Sequence, residues 1–291
     1  KGVFMKQFSN EKIIPFLDGQ LRNKYLYPRV QVKILDEQIY LVGLNEGVDP
    51  ILSLIENLDS INFGDIIVRI EDIDVEKNTN CFSPVDKLLN YKFITPWVGL
   101  NTGTTKNYNN VVDDEKVLFL NKLLGKNLLF LSKELGFEIK EKIYTRMKIE
   151  DLNPNKHDEN GWRSFEGGFQ TNFILPNFIG FGNGITRGFG SIFSLNNVNS
   201  IDFREFTIES DQFKEQEIDE KGDLLSYVTV HDTPLINRRK KKKRYKGKRK
   251  KHKSSGRIQS NKYGGKKNKG ADFDDESRFN SEEYHQKQHD L

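Results

Sequence analysis

The sequence predicts an α+β protein made of tandem ferredoxin-like (RRM-like) domains, the first lacking its leading strand, with a disordered basic C-terminal tail. Three observations support this fold class. Segments with the period of a half-buried strand recur through residues 1–195, a segment with helical spacing follows in each half, and lysine and arginine dominate the residues after 237. The resulting order of strands and helix is that of a split β-α-β unit.

The pattern divides the chain into four regions. Residues 1–90 form the truncated first domain, 91–195 the second domain with a glycine-rich loop, 196–237 an acidic extension and 238–291 the basic tail. The leading strand of the first domain would precede Lys1, which is not an initiator methionine, so a leader could have been removed or omitted.

The first domain is predicted from three signals. Strands at Tyr27–Leu35 and Gln38–Leu44 flank the acidic turn Asp36-Glu37, which is typical of a hairpin. Asp49-Pro50 marks a helix start, because a side chain caps the helix and proline suits its first position. Phe63–Val75 alternates apolar and charged residues and predicts another strand.

The second domain begins with a strand predicted at Tyr91–Leu100. The longest helix runs from Asp113 to Leu135, because leucines recur at helical spacing, and Gly136 is suited to end it. Further strands are predicted at Lys140–Ile149, Phe165–Leu175 and Phe189–Leu195, and a polar loop at 151–164. The acidic extension has strand-like patches at Ile201–Ile208 and Leu224–Val230 that the pattern does not assign to a sheet.

Composition excludes several classes of protein. No run of eighteen apolar residues occurs, so no membrane partner is expected. Cys81 is the single cysteine, so the chain cannot form an internal disulfide framework and lacks the cysteine spacing of a zinc site. No metal and no cofactor are predicted. A reducing cytoplasm is the default location. Residues 238–291 carry 20 Lys/Arg and 7 Asp/Glu, a net charge of +13, whereas residues 1–237 carry 26 and 35, a net charge of −9.

A glycine-rich segment between two predicted strands is the main candidate for a binding site. It contains Arg187, a fixed cation whose planar fork suits phosphate. Two interpretations are open: a surface for a polyanion, or a glycine turn packed against the domain with a solvated arginine. A nucleotide site is excluded, because no Gly-Lys-Ser/Thr follows and a strand stands where a helix is needed. The glycines are Gly180, Gly182, Gly184, Gly188 and Gly190.

These residues resemble the CRISPR-associated repeat-RNA endoribonucleases of the RAMP superfamily, the Cas-six family. The resemblance covers roughly residues 1–195, and its most specific block is Arg187-Gly188-Phe189-Gly190 after the helix-strand-strand order. Other matching positions are Tyr27-Pro28, Gln31, Gly43-Leu44-Asn45, Phe93, Thr95-Pro96-Trp97, Leu100-Asn101, Leu124, Asn127, Leu135-Gly136, Gly168-Phe169, Thr171-Asn172-Phe173, Leu175-Pro176, Ile179-Gly180 and Gly182.

The resemblance implies tandem ferredoxin-like domains that bind CRISPR repeat RNA. It also implies metal-independent cleavage, in which the ribose 2′-hydroxyl attacks the adjacent phosphate to give guide RNAs. The glycine-rich loop of the family helps to build the RNA surface. Family members commonly place a histidine, sometimes with tyrosine or lysine, in and after the first helix.

This chain departs from the family at that position, since no histidine occurs before His157. The corresponding stretch offers Arg22 as an RNA contact and Lys24 and Tyr25 as catalytic candidates. Free lysine and tyrosine side chains have pKa values near 10 and are poor bases at neutral pH, so charge stabilisation, RNA positioning and a purely structural role all remain open. His157 follows Asn153-Pro154-Asn155 and is predicted to be a solvated loop residue.

The basic tail predicts electrostatic capture of RNA, starting at Arg238, Arg239, Lys240 and Lys241. A solubility appendage and a docking site for an acidic protein are the alternatives. The predicted function is therefore binding and cleavage of CRISPR repeat RNA. The rival functions are a non-catalytic RNA-binding subunit among CRISPR effector subunits and a protein-interaction module.

Overall fold

The computed structural model describes residues 1–79, 81–140, 142–157, 161–196 and 225–232. Within these residues the chain combines helices with four antiparallel sheets, which confirms the predicted α+β class. The helices are α1 Gly2–Gln7, α2 Ile14–Leu17, α3 Val48–Ile55, α4 Thr102–Asn109 and α5 Asp113–Leu135. The strands are β1 Val30–Leu35, β2 Gln38–Gly43, β3 Ser60–Asn62, β4 Ile67–Arg69, β5 Pro84–Phe93, β6 Trp97–Leu100, β7 Ile143–Lys148, β8 Asn155–His157, β9 Trp162–Phe165, β10 Gly168–Phe173, β11 Ile192–Ser194 and β12 Ser226–Val228.

The largest sheet has five strands in the order β11-β5-β10-β7-β12, and all neighbours are antiparallel. β10 lies at its centre, so that Phe169 is opposite Tyr91 on one side and Met147 on the other. The apolar face of the sheet packs against α5, and the two together form the main hydrophobic core.

Helix α5 has the predicted bounds, Asp113 to Leu135. Acidic residues occupy its first turn, where they meet the positive end of the helix dipole. Gly136 ends the helix with φ 80°, a left-handed conformation that favours glycine. In the middle of the helix a Cβ on Gly125 would lie 2.8 Å from the Val228 side chain, so glycine allows β12 to sit close to the helix.

The first region contains the predicted hairpin of β1 and β2. Leu35 pairs with Gln38, and Asp36 and Glu37 both have positive φ, as a two-residue turn of this kind requires. β3 and β4 form a separate two-stranded sheet. A second core, which includes Phe4, Ile13, Leu54 and Ile61, lies under these elements.

Two predictions for this region were wrong. Helix α3 begins at Val48 after Gly47, with no side-chain cap, so Asp49 and Pro50 lie inside its first turn. The strand expected at Phe63–Val75 is limited to Ile67–Arg69, because the chain turns back on itself at Gly64 (φ 102°) to pair β4 with β3.

The second region differs from prediction at three places. The single strand expected at Tyr91–Leu100 is two strands, because the chain leaves the large sheet after Phe93 and Trp97–Leu100 pairs with β9. β5 begins at Pro84, so residue 90, the predicted end of the first domain, lies within a strand. The polar loop expected at 151–164 contains β8 and β9.

The other expectations concern the C-terminal residues. β12 falls within the strand-like patch predicted at 224–230 and joins the edge of the large sheet beside β7. The patch at 201–208 and the basic tail lie outside the described residues.

Candidate RNA-binding cleft

The glycine-rich segment folds around a short 3₁₀ turn, Ile185–Arg187. Gly184 (φ 73°) and Gly188 (φ 95°) flank this turn in left-handed conformations. The Gly184 carbonyl accepts hydrogen bonds from the backbone N–H groups of Arg187 at 2.8 Å and Phe189 at 3.3 Å. These bonds give the turn a defined shape.

Most glycines of the segment are buried. A Cβ on Gly190 would lie 2.0 Å from the Phe181 carbonyl oxygen, and one on Gly182 would lie 2.6 Å from that of Val98. Gly180 and Gly184 are also buried, whereas Arg187 is exposed and Gly188 is half-buried. The packed-turn interpretation therefore describes most of the segment, and only its tip at 186–189 reaches solvent. RNA binding by these glycines stays a prediction.

The tip of the segment rests on aromatic side chains. The Arg187 guanidinium lies 5.2 Å from the centroid of the Trp162 ring and 5.9 Å from that of Phe189. Phe189 in turn contacts the ring of His157 at 5.1 Å. His157 lies on β8, half-buried, with Nε2 2.5 Å from the Ser164 hydroxyl, so the prediction of a solvated loop residue was wrong.

Beside this tip the structure forms a small cleft, which we call the junction cleft. It encloses about 40 Å³, room for a few water molecules, so it marks the floor of an open surface and not a nucleotide pocket. Arg22 and Tyr25 from the first region meet Thr186 from the glycine-rich segment here. The remaining lining residues are Lys1, Phe16, Leu17, Gly19, Leu21, Pro28, Arg29, Val30, Gln31 and Val32.

Tyr25 is the aromatic centre of the junction cleft. Its ring stacks on Phe16 with centroids 6.1 Å apart and planes 8° from parallel. The Arg29 guanidinium and the Lys24 ammonium lie 4.7 Å and 4.8 Å from the ring centroid. A hydrogen bond with the Tyr25 side chain raises the pKa of the exposed Lys24 above its ordinary value. Lys24 is therefore a persistent cation, suited to neutralise negative charge and unsuited to accept a proton.

Arg29 was not predicted as a site residue, yet it joins the two regions. It is 5% exposed and forms an ion pair with Glu46 at 2.8 Å. Its other nitrogens donate to the carbonyls of Tyr27 and Glu134, the latter in the last turn of α5, where a cation meets the negative end of the helix dipole. The Glu134 carboxylate accepts hydrogen bonds from the backbone N–H groups of Leu26 at 2.9 Å and Tyr27 at 3.3 Å.

A row of polar side chains on β1 and just before it makes a second contact between the regions. The Tyr27 hydroxyl donates to the Gly180 carbonyl at 2.7 Å, and the Gly180 N–H donates to Gln31 Oε1 at 3.0 Å. Lys33, 1% exposed, points its Nζ at the Ile185 carbonyl at 3.5 Å. Burial lowers the pKa of Lys33 to about 7. Sequence reasoning missed Lys33, since lysine on an alternating strand is normally exposed.

Family models match almost all of the described chain. The Cas6b N-terminal domain matches residues 1–80 and the Cas6b C-terminal domain matches residues 84–195. The chain belongs to the Cas6b family. This membership confirms the resemblance inferred from the residues, and it leaves the residues after 195 outside the matched domains, as expected.

The chain is also similar to individual proteins. An uncharacterized protein of Methanocaldococcus jannaschii is 31% identical over 140 residues, which are 48% of this chain and 95% of that protein. A crystal structure of Cas6b is 30% identical with a TM-score of 0.57, covering 67% of this chain and 89% of that one. A crystal structure of a Cas6b described as a CRISPR RNA processing endoribonuclease is 29% identical with a TM-score of 0.47, covering 62% and 89%.

Several positions that carry the resemblance to the Cas-six family lie where the two regions meet. Tyr27 and Gln31 bind the backbone of Gly180, as described above. Asn45 Nδ2 donates to the carbonyl of Leu135, the last residue of α5, at 2.8 Å. These residues explain how the first region is fixed on the second, a role that the sequence did not reveal.

Arg238, Arg239, Lys240 and Lys241 lie outside the described residues. In the parts of the chain that are described, no three His, Cys, Asp or Glu side chains lie together as metal ligands, and no helix is long and apolar enough to cross a membrane. Cys81 is buried, and burial raises the pKa of its thiol to about 12.

Proposed function

We propose that this chain binds CRISPR repeat RNA across the junction cleft and cleaves it without a metal ion. The observation that carries the proposal is the meeting of Arg22 and Tyr25 with Thr186, which precedes Arg187 in the exposed turn. Two segments that are distant in sequence thus contribute cations and an aromatic ring to one surface. Fixed cations gathered at one surface suit the phosphates of RNA, and Tyr25 holds two of them, Lys24 and Arg29, over its ring. The family membership supports RNA as the ligand.

The proposed reaction is an intramolecular transesterification. The ribose 2′-hydroxyl gives up its proton to solvent water while its oxygen forms a bond to the adjacent phosphorus. The bond from phosphorus to the 5′-oxygen breaks, and the products end in a 2′,3′-cyclic phosphate and a 5′-hydroxyl. Lys24 stabilises the negative charge that develops on the phosphorane, because its pKa is raised and it stays protonated. The Tyr25 hydroxyl, hydrogen-bonded to Lys24, is the candidate to supply the proton that the leaving oxygen takes up, and it regains a proton from solvent water afterwards.

The proposal also extends to the architecture. The strand order β11-β5-β10-β7, antiparallel throughout and covered by α5, supports a ferredoxin-like second domain in which the glycine-rich segment replaces the second helix. The family boundaries and the start of β5 at Pro84 favour a domain border near residues 80–84 instead of 90. Residues 226–228 of the acidic extension belong to the large sheet as β12, whereas the basic tail stays a prediction. The proposed substrate implies a cytoplasmic location.

Cleavage in EDTA tests the proposal. Repeat RNA incubated with the full chain in EDTA is expected to be cut at one position and to carry a 2′,3′-cyclic phosphate. A requirement for a divalent ion would overturn the metal-independent mechanism. RNA that binds tightly but is not cleaved would overturn the proposal that the chain is a catalyst.

One observation favours a second function, a non-catalytic RNA-binding subunit of a CRISPR effector complex. The junction cleft contains no histidine among its described lining residues, and Lys24 beside it holds its proton. General acid–base catalysis contributes about 10²–10⁴ to a rate, so a site without a good base cleaves slowly. Binding that persists without cleavage assigns the subunit role. Failure to bind RNA with or without residues 238–291 assigns the protein-interaction module.

A further inference from the structure

Gln31 and Lys33 lie two residues apart on β1, so their side chains share one side of the strand, and Tyr27 lies just before the strand. All three are buried, and each contacts the glycine-rich segment, which lies about 150 residues later in the chain. This row occupies the contact between β1 and the segment whose tip carries Arg187.

The row satisfies both backbone groups of Gly180. Its carbonyl accepts from the Tyr27 hydroxyl, its N–H donates to Gln31, and Gln31 Nε2 donates to the Tyr27 oxygen at 3.1 Å, so the three residues form a closed network. Lys33 lies against the same backbone, since a Cβ on Gly180 would come within 3.0 Å of its Nζ. The segment is thus held at Gly180 and contacted again at Ile185, the first residue of the exposed turn.

Lys33 is held among neutral groups. On its own strand Gln31 occupies the next position on the same side, and across the hairpin Lys33 pairs with Tyr40, whose hydroxyl donates to Gln38. The charged residue of the glycine-rich segment nearest in sequence to Ile185 is Arg187, another cation. Desolvation is the cause of the lowered pKa, and neither β1, β2 nor the segment supplies a carboxylate that would offset it.

We propose that Tyr27, Gln31 and Lys33 are positioning residues, which fix the glycine-rich segment on β1 so that its turn presents Arg187 to RNA, and that Lys33 makes this seating depend on pH. The inference rests on the proposed function, because it assumes that the turn faces RNA. The direction of the pH effect follows from proton linkage. At low pH the buried amine is charged and the burial penalty is complete. As the pH rises, the folded protein releases this proton before the unfolded chain does, so stability rises with pH.

Hydrogen exchange of the full chain without RNA tests the seating directly. Protection of the amides of 178–190, corrected for the intrinsic exchange rate, is expected to rise between about pH 6.5 and 8.5 in the wild type, by at most about tenfold per pH unit. Lys33→Met removes the amine but keeps its length, and it should show no such rise. Lys33→Arg keeps a permanent cation and should leave the amides of the segment poorly protected throughout this pH range. The same rise in wild type and Lys33→Met would overturn the role of Lys33.

A variant that leaves the charge of the protein unchanged tests the role of Tyr27. Tyr27→Phe removes one of the two hydrogen bonds of Gly180 and is expected to reduce protection about two- to tenfold at both pH values. Tyr40→Phe, which changes an exposed hydroxyl bond on the paired strand, is the matched control and should leave protection unchanged. Equal protection in Tyr27→Phe and wild type would overturn the positioning role.

RNA binding separates this inference from the proposed function. The affinity of the wild type for repeat RNA should increase over the same pH range relative to that of Lys33→Met. If RNA binds but the pH dependence of the two forms is the same, the inference is wrong and the RNA function stands. If neither form binds RNA at any pH, the proposed function is wrong, whatever the exchange data show.

Discussion

The guanidinium of Arg187 lies 5.2 Å from the centre of the ring of Trp162, a side chain that is only 1% exposed. A buried ring thus supports a charged group that reaches solvent from the tip of the glycine-rich segment. This support reduces the number of conformations that the arginine gives up on binding, which favours phosphate contact. Because Thr186 lines the junction cleft, the supported arginine borders the surface that also holds Tyr25 and Arg22.

Replacing Arg187 by alanine should therefore weaken RNA binding. Hydrogen bonds from a charged group contribute about 1.5–3 kcal/mol, so we expect the dissociation constant for repeat RNA to rise by about tenfold or more. The slope of log K against log salt should become shallower by about 0.7 for each phosphate that the variant no longer neutralises. Both quantities come from fluorescence anisotropy titrations at several salt concentrations.

Arg69→Ala is the matched control, because Arg69 is an exposed arginine on β4, in a different sheet. It should change neither the affinity nor the salt slope. Equal effects in the two variants would show that the arginines act only through net charge and would remove the glycine-rich segment from the site.

Two glycines of the segment should respond differently to replacement by alanine. Gly190→Ala would bring a Cβ to 2.0 Å from the Phe181 carbonyl, whereas Gly188→Ala meets nothing within 4 Å. Both have positive φ, which costs about 1–2 kcal/mol for alanine, so the difference between them reports the clash. Urea denaturation should show Gly190→Ala less stable than Gly188→Ala by about 2 kcal/mol or more. Equal stabilities would contradict the close packing of this segment.

Lys24 should act as a cation in cleavage. Lys24→Met is expected to lower the single-turnover rate by about 10²-fold, the usual effect of removing a group that stabilises transition-state charge. Lys24→Arg should retain most of the rate, and Lys122→Met, an exposed lysine of α5, should have no effect. Since the pKa of Lys24 is raised, the rate should show no step from its titration near neutral pH. Rescue of Lys24→Met at high pH alone, or full activity of that variant, would exclude the charge role.

Removal of residues 238–291 tests electrostatic capture by the tail. The deletion takes away a net charge of +13 and leaves a chain with a net charge of −9. If the tail contacts phosphates, the truncated chain should bind RNA more weakly at low salt and with a flatter salt dependence. If the slope of log K against log salt is unchanged, the affinity for RNA comes from residues 1–195. The tail would then bind another partner.

Local patterns predicted the elements whose signals are contained in a few neighbouring residues. Helix α5 had its leucine spacing, acidic first turn and Gly136, and the β1–β2 hairpin had its two-residue turn, so both were predicted closely. The strand at Phe63–Val75 failed because an alternating pattern continues through Gly64, where the chain reverses. The strand at Tyr91–Leu100 failed because its two parts pair with different partners, which are far away in sequence.

The site shows the same division. Arg187 could be identified from its glycine neighbours, since a cation in a glycine-rich turn is a local feature. Arg29 and Lys33 could not, because their burial arises from contacts with Glu134 and Ile185, which are distant in sequence. For the same reason, the sequence offered Tyr27 and Gln31 as family positions without indicating that they hold Gly180.

The structure of the complex with repeat RNA tests the central claim most directly. A 2′-deoxy substitution at the nucleotide to be cut removes the attacking hydroxyl and preserves the bound state. We predict that the RNA crosses the junction cleft, with the scissile phosphate between Lys24–Tyr25 and the turn that carries Arg187. RNA bound on another face, with Tyr25 and Arg187 both exposed to solvent, would contradict the account.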